Sequence, residues 1–123
     1  IRAAAYGLGG VLTPTGVGTP VQDELDELGR KKKVVEIEGK KYLFKMPFHA
    51  DYSLIRPTVA DKFGNYSWAR APKNFNYVMA GAADHVIIAS EKVVKIGEVD
   101  PDTFAVSGVV VNGIVEGEPK WQI

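Results

Sequence analysis

The residue types best suited to chemistry lie near the start of the chain. Gly7-Leu8-Gly9-Gly10 stands close to Thr13-Pro14-Thr15-Gly16-Val17-Gly18-Thr19. Successive backbone N–H groups in such runs can hold an anion or a developing oxyanion, and the threonines add hydroxyls. The same glycines serve equally well as a structural turn. No strong strand precedes the run and no clear helix follows it, so it is not a dinucleotide fingerprint. It also lacks the Gly-Lys-Ser/Thr ending of a phosphate loop. Two glycine-threonine segments this close together point to the near approach of a ligand or a subunit.

The remaining candidates are sparse. Asn74-Phe75-Asn76 could present two amides at a helix start, or cap that helix around one core phenylalanine. His49 lies just before Asp51, and His85 follows Asp84. An aspartate can orient an imidazole for base catalysis, yet neighbours along a strand point to opposite faces, which argues against direct pairing. No third ligand comes at a spacing that would make a metal site. Glu36 and Glu38 fall on one strand face, where they read as an acid/base pair or as a solvated face. Cysteine is absent. That excludes disulfide scaffolds, thiolate-zinc sites and cysteine nucleophiles, and fits a reducing cytoplasm.

The elements that must position these residues follow from periodicity. Residues 1–20 hold five of the 13 glycines and read as loops with a short strand at Val11-Leu12. Gln22 to Lys33 runs from acidic to basic and reads as a weakly helical, exposed stretch. Val34–Glu38 and Tyr42–Met46 alternate about Gly39-Lys40-Lys41, the pattern of a β-hairpin. Tyr52–Ile55 is a strand ended by Arg56-Pro57, because proline cannot donate to a ladder. Lys62–Asn65 reads as a turn and Tyr66–Ala69 as another strand. Phe75, Val78, Met79, Ala82 and Ala83 follow the spacing of a helix with one apolar stripe. His85–Ala89 is a β-branched run suited to a parallel strand buried on both faces. Val109–Val111 reads as a last strand. Trp68 and Trp121 read as packing residues rather than stacking platforms.

The composition bounds the function. The chain has 123 residues, 46% hydrophobic, 24% charged and 10% aromatic, with 15 basic and 15 acidic residues. This suits a single α/β unit over residues 1–123 with a real core, not a disordered chain. Arg30-Lys31-Lys32-Lys33 is the one basic cluster and acidic residues precede it, so it reads as a solvated loop rather than a nucleic-acid face. No apolar run reaches the ~20 residues that span a bilayer. The chain opens on Ile1 rather than Met, so processing or truncation is expected.

The order of motifs resembles the A subunit of the family I CoA-transferases, enzymes of 3-oxoacids and short-chain acids. The resemblance is carried by Gly7–Gly10, Leu12–Thr19, Ala50-Asp51 with Leu54–Arg56, Ala60-Asp61 with Gly64-Asn65, Asn74–Asn76 with Met79-Ala80, Ala82–Asp84, Gly97–Pro101 and Gly108–Val111. Val11 stands where the family often has phenylalanine and Tyr77 where it often has proline. The resemblance implies an open, mostly parallel sheet with helices and an added β-hairpin, lacking the N-terminal half of the family's A chain. It implies a ping-pong exchange of CoA between an acyl-CoA or 3-oxoacyl-CoA and a carboxylic acid. Coenzyme A is then a substrate and no cofactor is permanently bound. The family's nucleophile is a glutamate of the B subunit in a Ser-Glu-Asn-Gly segment, which this chain lacks, so no catalytic residue is expected in it. Expected partners are the B subunit and the missing N-terminal part of the A subunit, in a cytoplasmic hetero-oligomer without nucleic acid or membrane. Gly9, Gly10, Thr13, Thr15 and Gly16, with Asn74 and Asn76 second, are the expected lining of the acyl and CoA pocket. The alternatives are an isomerase-like relative of the same fold, which would need its own carboxylate base, and a non-catalytic assembly module.

Overall fold

A computed structural model describes residues 1–26, 29–71 and 73–117; Trp121 lies outside them. The strands among these residues divide into three sheets of three. The first is the hairpin with an added strand: β1 (Val11–Thr13), β2 (Lys33–Ile37) and β3 (Lys40–Lys45), all antiparallel in the order β1-β3-β2. Glu38 and Gly39 make its tight turn with φ of 50° and 77°. Two successive positive φ values match the right-handed twist of the flanking strands.

The second sheet is parallel throughout: β4 (Ala50–Ile55), β7 (Ala83–Ser90) and β9 (Gly113–Glu116), in the order β4-β7-β9. The third comprises β5 (Val59–Asp61), β6 (Tyr66–Ser67) and β8 (Lys92–Val94), in the order β6-β5-β8. Here β5 runs antiparallel to β6 and parallel to β8. The parallel pair β4/β7 thus continues as β5/β8 across a bend. Buried Pro57 sits in that bend, and Glu91 N–H donates to the Pro57 carbonyl at 3.2 Å. The α/β expectation holds, with the parallel ladder broken into two sheets at Pro57 because proline cannot carry it through.

The helices of the described residues are few and short: α1 (Arg2–Ala5), α2 (Pro20–Asp23) and α3 (Lys73–Met79), the last followed by a 3₁₀ turn at Ala80–Ala82. The expected stripe is only partly realised. Val78 and Ala82 are buried, whereas Phe75 is 42% exposed and takes the Arg2 guanidinium over its ring. Ala83 already belongs to β7. The expected strand at Val109–Val111 is a 3₁₀ turn over Gly108–Val110 instead. The Ser107 hydroxyl accepts from Val109 N–H, a local bond that competes with a ladder. Gly108 fits so closely that a Cβ on it would lie 2.5 Å from the Phe63 carbonyl oxygen.

The core gathers Ile55, Ala60, Tyr66, Trp68, Ala80, Val86 and Ile88. Trp68 packs edge-on to Tyr66 with ring centres 5.1 Å apart, and its indole N–H donates to the Arg56 carbonyl at 2.9 Å. Its packing role is the expected one. The β-branched run of β7 departs from expectation. Val86, Ile88 and Ser90 are buried on one face, while His85 and Ala89 are exposed on the other. Among the described residues no layer covers that second face.

Candidate functional site

The glycine-rich run is first a helix terminator. Leu8 N–H donates to the Ala3 carbonyl at 2.8 Å and Gly7 N–H to the Ala4 carbonyl at 3.1 Å, with Gly7 at φ 65°. Those two bonds and a left-handed glycine make a Schellman ending for α1. The Gly7 and Leu8 donors are therefore occupied inside the chain, which leaves Gly9 and Gly10 as the run's remaining candidates for meeting an anion. The two are not alike. Space around the Cα of Gly9 is open, whereas a Cβ on Gly10 (φ 149°) would meet the Phe44 ring at 2.5 Å and the Lys45 carbonyl at 2.8 Å. Gly10 lets β1 start flush against β3.

The threonine segment is likewise internally bonded. Thr13 Oγ1 accepts from Thr15 N–H at 3.2 Å, Gly18 N–H donates to Gln22 Oε1 at 3.0 Å, and Thr19 Oγ1 donates to the Gly16 carbonyl at 2.9 Å. Gly16, at φ 89°, is packed against Leu43 and Val21. Thr15 itself is exposed.

The second group of candidates meets the first through α1 and α3. The Tyr6 and Tyr77 hydroxyls lie 3.1 Å apart, and this hydrogen bond holds the Tyr6 phenol above its ordinary value. Arg2 over Phe75 joins the same two elements at 5.6 Å. Asn74 has non-helical backbone angles (φ −6°, ψ −116°) at the start of α3, and its N–H donates to the Ala71 carbonyl at 3.3 Å. The tyrosine pair thus joins the residue just before the glycine run to the one just after Asn76. Sequence reasoning missed it, since Tyr6 and Tyr77 lie 71 positions apart.

Each histidine meets a group other than the aspartate near it in sequence, in keeping with the alternation of strand faces. His49 Nε2 approaches Asp84 Oδ1 at 3.9 Å, both side chains being largely exposed, and His85 stacks obliquely on Tyr52 with centres 5.0 Å apart. Glu36 and Glu38 lie exposed on the hairpin, Glu38 inside its turn. Among the described residues no cluster of three or more His, Asp or Glu could hold a metal ion.

The buried carboxylate is a different residue, Asp61. Its Oδ1 accepts from the N–H groups of Phe63, Gly64 and Asn65 at 2.9, 2.9 and 3.0 Å, and its Oδ2 from Asn65 Nδ2 at 2.7 Å. Asn65 Oδ1 in turn accepts from Gly108 N–H at 2.8 Å. This network ties the 62–65 turn to the 107–110 turn. Asp followed by Gly-Asn three residues on was its sequence signal, legible only as a turn.

Two hollows of the surface lie elsewhere. One is lined by Ile1, Phe48, Tyr52, Ser53, Met79 and Ala82 among others, and a larger one by Arg30, Lys45, Met46, Phe48 and His49 with Ile1. None of the seven expected lining residues borders either.

The geometry is thus that of an α/β chain with a parallel sheet and a glycine-terminated first helix. Residues 1–117 match the family model for coenzyme A transferase, and the chain belongs to that family. It is 41% identical over 116 residues to the acetoacetyl-CoA:acetate/butyrate CoA transferase alpha subunit of Clostridium acetobutylicum, covering 94% of this chain and 50% of that one. It is 37% identical over 115 residues to the A subunit of the 3-oxoadipate CoA-transferase of Pseudomonas putida, covering 94% and 47%. An acyl-CoA transferase of Escherichia coli O157:H7, solved as a thioester complex with CoA, superposes with a TM-score of 0.79 at 26% identity, over 94% of this chain and 25% of that one. The chain spans about half the length of the curated A and alpha subunits it matches.

Proposed function

We propose that this chain forms part of the A subunit of a CoA-transferase that moves CoA between a short-chain acyl-CoA or 3-oxoacyl-CoA and a carboxylic acid. The observation that carries the reading is the family match over residues 1–117, with relatives named as A or alpha subunits. The nucleophile is a glutamate of a B subunit. Its carboxylate attacks the thioester carbonyl and expels CoA thiolate, leaving a mixed anhydride. The thiolate then attacks the glutamyl carbonyl, the acid departs, and a glutamyl-CoA thioester remains for a second acid to reverse the sequence. Such covalent catalysis divides one difficult step into easier ones.

This chain lines the pocket at the subunit junction. Gly9, Thr13 and Thr15 provide its near wall with the backbones of Gly10 and Gly16, and Asn74 and Asn76 lie on the neighbouring flank. Backbone donors placed where negative charge develops suit the tetrahedral stages, and loss of one such donor lowers rate by about 10²–10³. No helix among the described residues is long and apolar enough to cross a membrane, and the assembly works as a cytoplasmic hetero-oligomer with CoA as substrate.

The test is mass spectrometry after incubating the purified assembly with acetoacetyl-CoA and borohydride. Reductive labelling of a glutamate on a second polypeptide is expected. Labelling of a carboxylate in this chain, or CoA transfer by this chain alone, refutes the reading.

A further inference from the structure

Two contacts tie α1 to α3: the Arg2 guanidinium over the Phe75 ring, and the Tyr6 hydroxyl against that of Tyr77. Tyr6 N–H donates to the Arg2 carbonyl at 3.1 Å, the four-residue spacing that sets both side chains on one helix face. Two phenols carry two O–H donors and use only one of them between themselves. The second proton is left for an acceptor outside the pair, and neither hydroxyl has a further partner among the described residues. Arg2 makes no ion pair with any described carboxylate. The hydrogen bond with Tyr77 holds the Tyr6 phenol above its ordinary value while the Arg2 charge pulls it down, so the guanidinium acts on that phenol.

Both phenols border a hollow of about 150 Å³ whose other walls are apolar, Ala5, Val78, Val106 and Val110 among them. Two of those walls touch: a Cβ on Gly81 would lie 2.9 Å from the Ala5 carbonyl oxygen, so that side is shut. An apolar cavity of this volume holds a ligand of about six heavy atoms, the size of benzene. A cation and an uncommitted O–H at its rim suit a carboxylate, because hydrogen bonds to an ionised acceptor are about twice as strong as neutral ones.

We infer that Arg2, Tyr6, Tyr77 and the hollow beside them form a binding site for a short-chain monocarboxylate such as butyrate. The carboxylate sits on the phenols and the guanidinium, and the tail lies against Val78, Val106 and Val110. The inference goes beyond the proposed function, since the site needs neither CoA nor a glutamate of a partner. Volume sets the length of the tail: butyrate fills the hollow and octanoate overruns it. Succinate is rejected, because its far carboxylate would lose its water against apolar walls. Inorganic phosphate has no tail to bury. Tyr77 stands where the family often has proline, which carries no hydroxyl, so the phenol pair is not a general property of the family.

The experiment adds radiolabelled butyrate to the purified assembly without CoA, counts bound equivalents by equilibrium dialysis, and records near-ultraviolet tyrosine difference spectra. Wild type is expected to bind at this site with a Kd on the order of 1 mM, and a tyrosine difference band grows with occupancy. The double variant Tyr6→Phe with Tyr77→Phe keeps both rings, weakens binding at this site about ten- to a hundredfold and loses the band. Arg2→Gln weakens it about fivefold, and less at high salt. Val110→Phe fills the hollow from its rim and weakens butyrate about tenfold. Tyr52→Phe, on the parallel sheet, leaves binding unchanged. All these positions are exposed, so thermal melts of the variants match wild type.

A double variant that keeps every equivalent of bound butyrate overturns the site, and so does wild type that shows no tyrosine band at saturating butyrate. Succinate or phosphate bound as tightly as butyrate overturns it too, since the hollow then contributes nothing. CoA transfer is read on the same samples. Its absence alongside butyrate binding as described refutes the proposed function and leaves the carboxylate site standing.

Discussion

Replacing Asp61 by asparagine tests the tie between the two turns with almost no change in volume. Oδ1 keeps its three N–H donors, but bonds to a neutral acceptor are about half as strong as those to a carboxylate. With roughly 1 kcal/mol at stake for a single bond, and the three donors sharing one oxygen so that their losses are less than additive, the three together lose about 1–2 kcal/mol. The fourth bond reverses. The new Nδ2 faces Asn65 Nδ2, two donors meeting where one was accepted at 2.7 Å. Asn65 cannot rotate its amide to escape, because its Oδ1 is engaged by Gly108 N–H. That adds about 2 kcal/mol. Relief from burying a charge offsets about 1 kcal/mol. The net expectation is a destabilisation of about 2–3 kcal/mol, which for a chain of this size lowers Tm by about 6–15 °C. Thermal melts by circular dichroism, with exposed Asp51→Asn as control, check the value. A fall of under about 2 °C for Asp61→Asn would falsify the idea that this network joins the turns.

Other substitutions separate packing from lining. Gly10→Val drives a side chain into Phe44 and Lys45, and lowers the stability measured by denaturant unfolding by about 2 kcal/mol or more. Gly9→Val enters open space, so the fold persists while CoA transfer by the assembled enzyme falls about tenfold or more; equal melts for the two variants contradict the assignment. Tyr66→Phe removes a buried hydroxyl without a partner among the described residues, and is neutral or stabilising near pH 7 by urea unfolding. Burial holds the Tyr66 phenol above its ordinary value, so the protonated form stabilises the fold fully below pH about 10, and that contribution fades as pH rises through the folded-state value. Wild type should therefore lose stability relative to Tyr66→Phe between about pH 9 and pH 11, and a difference that stays constant across that range contradicts the burial argument.

Local pattern and local bonding agree where the elements came out as expected. The hairpin about Gly39, the strand ending before Pro57 and the packing of Trp68 each depend on residues close together or on one residue's own chemistry. The misses have a common cause. Val109–Val111 has strand propensity, yet a serine hydroxyl and the tight seat of Gly108 against Phe63 set a 3₁₀ turn there. Phe75 fits a helical stripe, but α3 ends at Met79 and leaves its ring to Arg2. The Schellman ending at Gly7 combines a glycine plain in the sequence with carbonyls that only a formed α1 presents.

The sequence alone determined the class of protein. Motif order along 1–117, absence of cysteine and the lack of a Ser-Glu-Asn-Gly segment all survive in any conformation, because they are properties of residue identity. Tertiary structure alone decided which groups meet. Tyr6 finds Tyr77 and Asn65 finds Gly108 through contacts between positions far apart. One-dimensional spacing carries periodicity, which sets elements and faces; it carries no distance between elements, and burial, hydrogen-bond partnership and pocket walls are set by those distances.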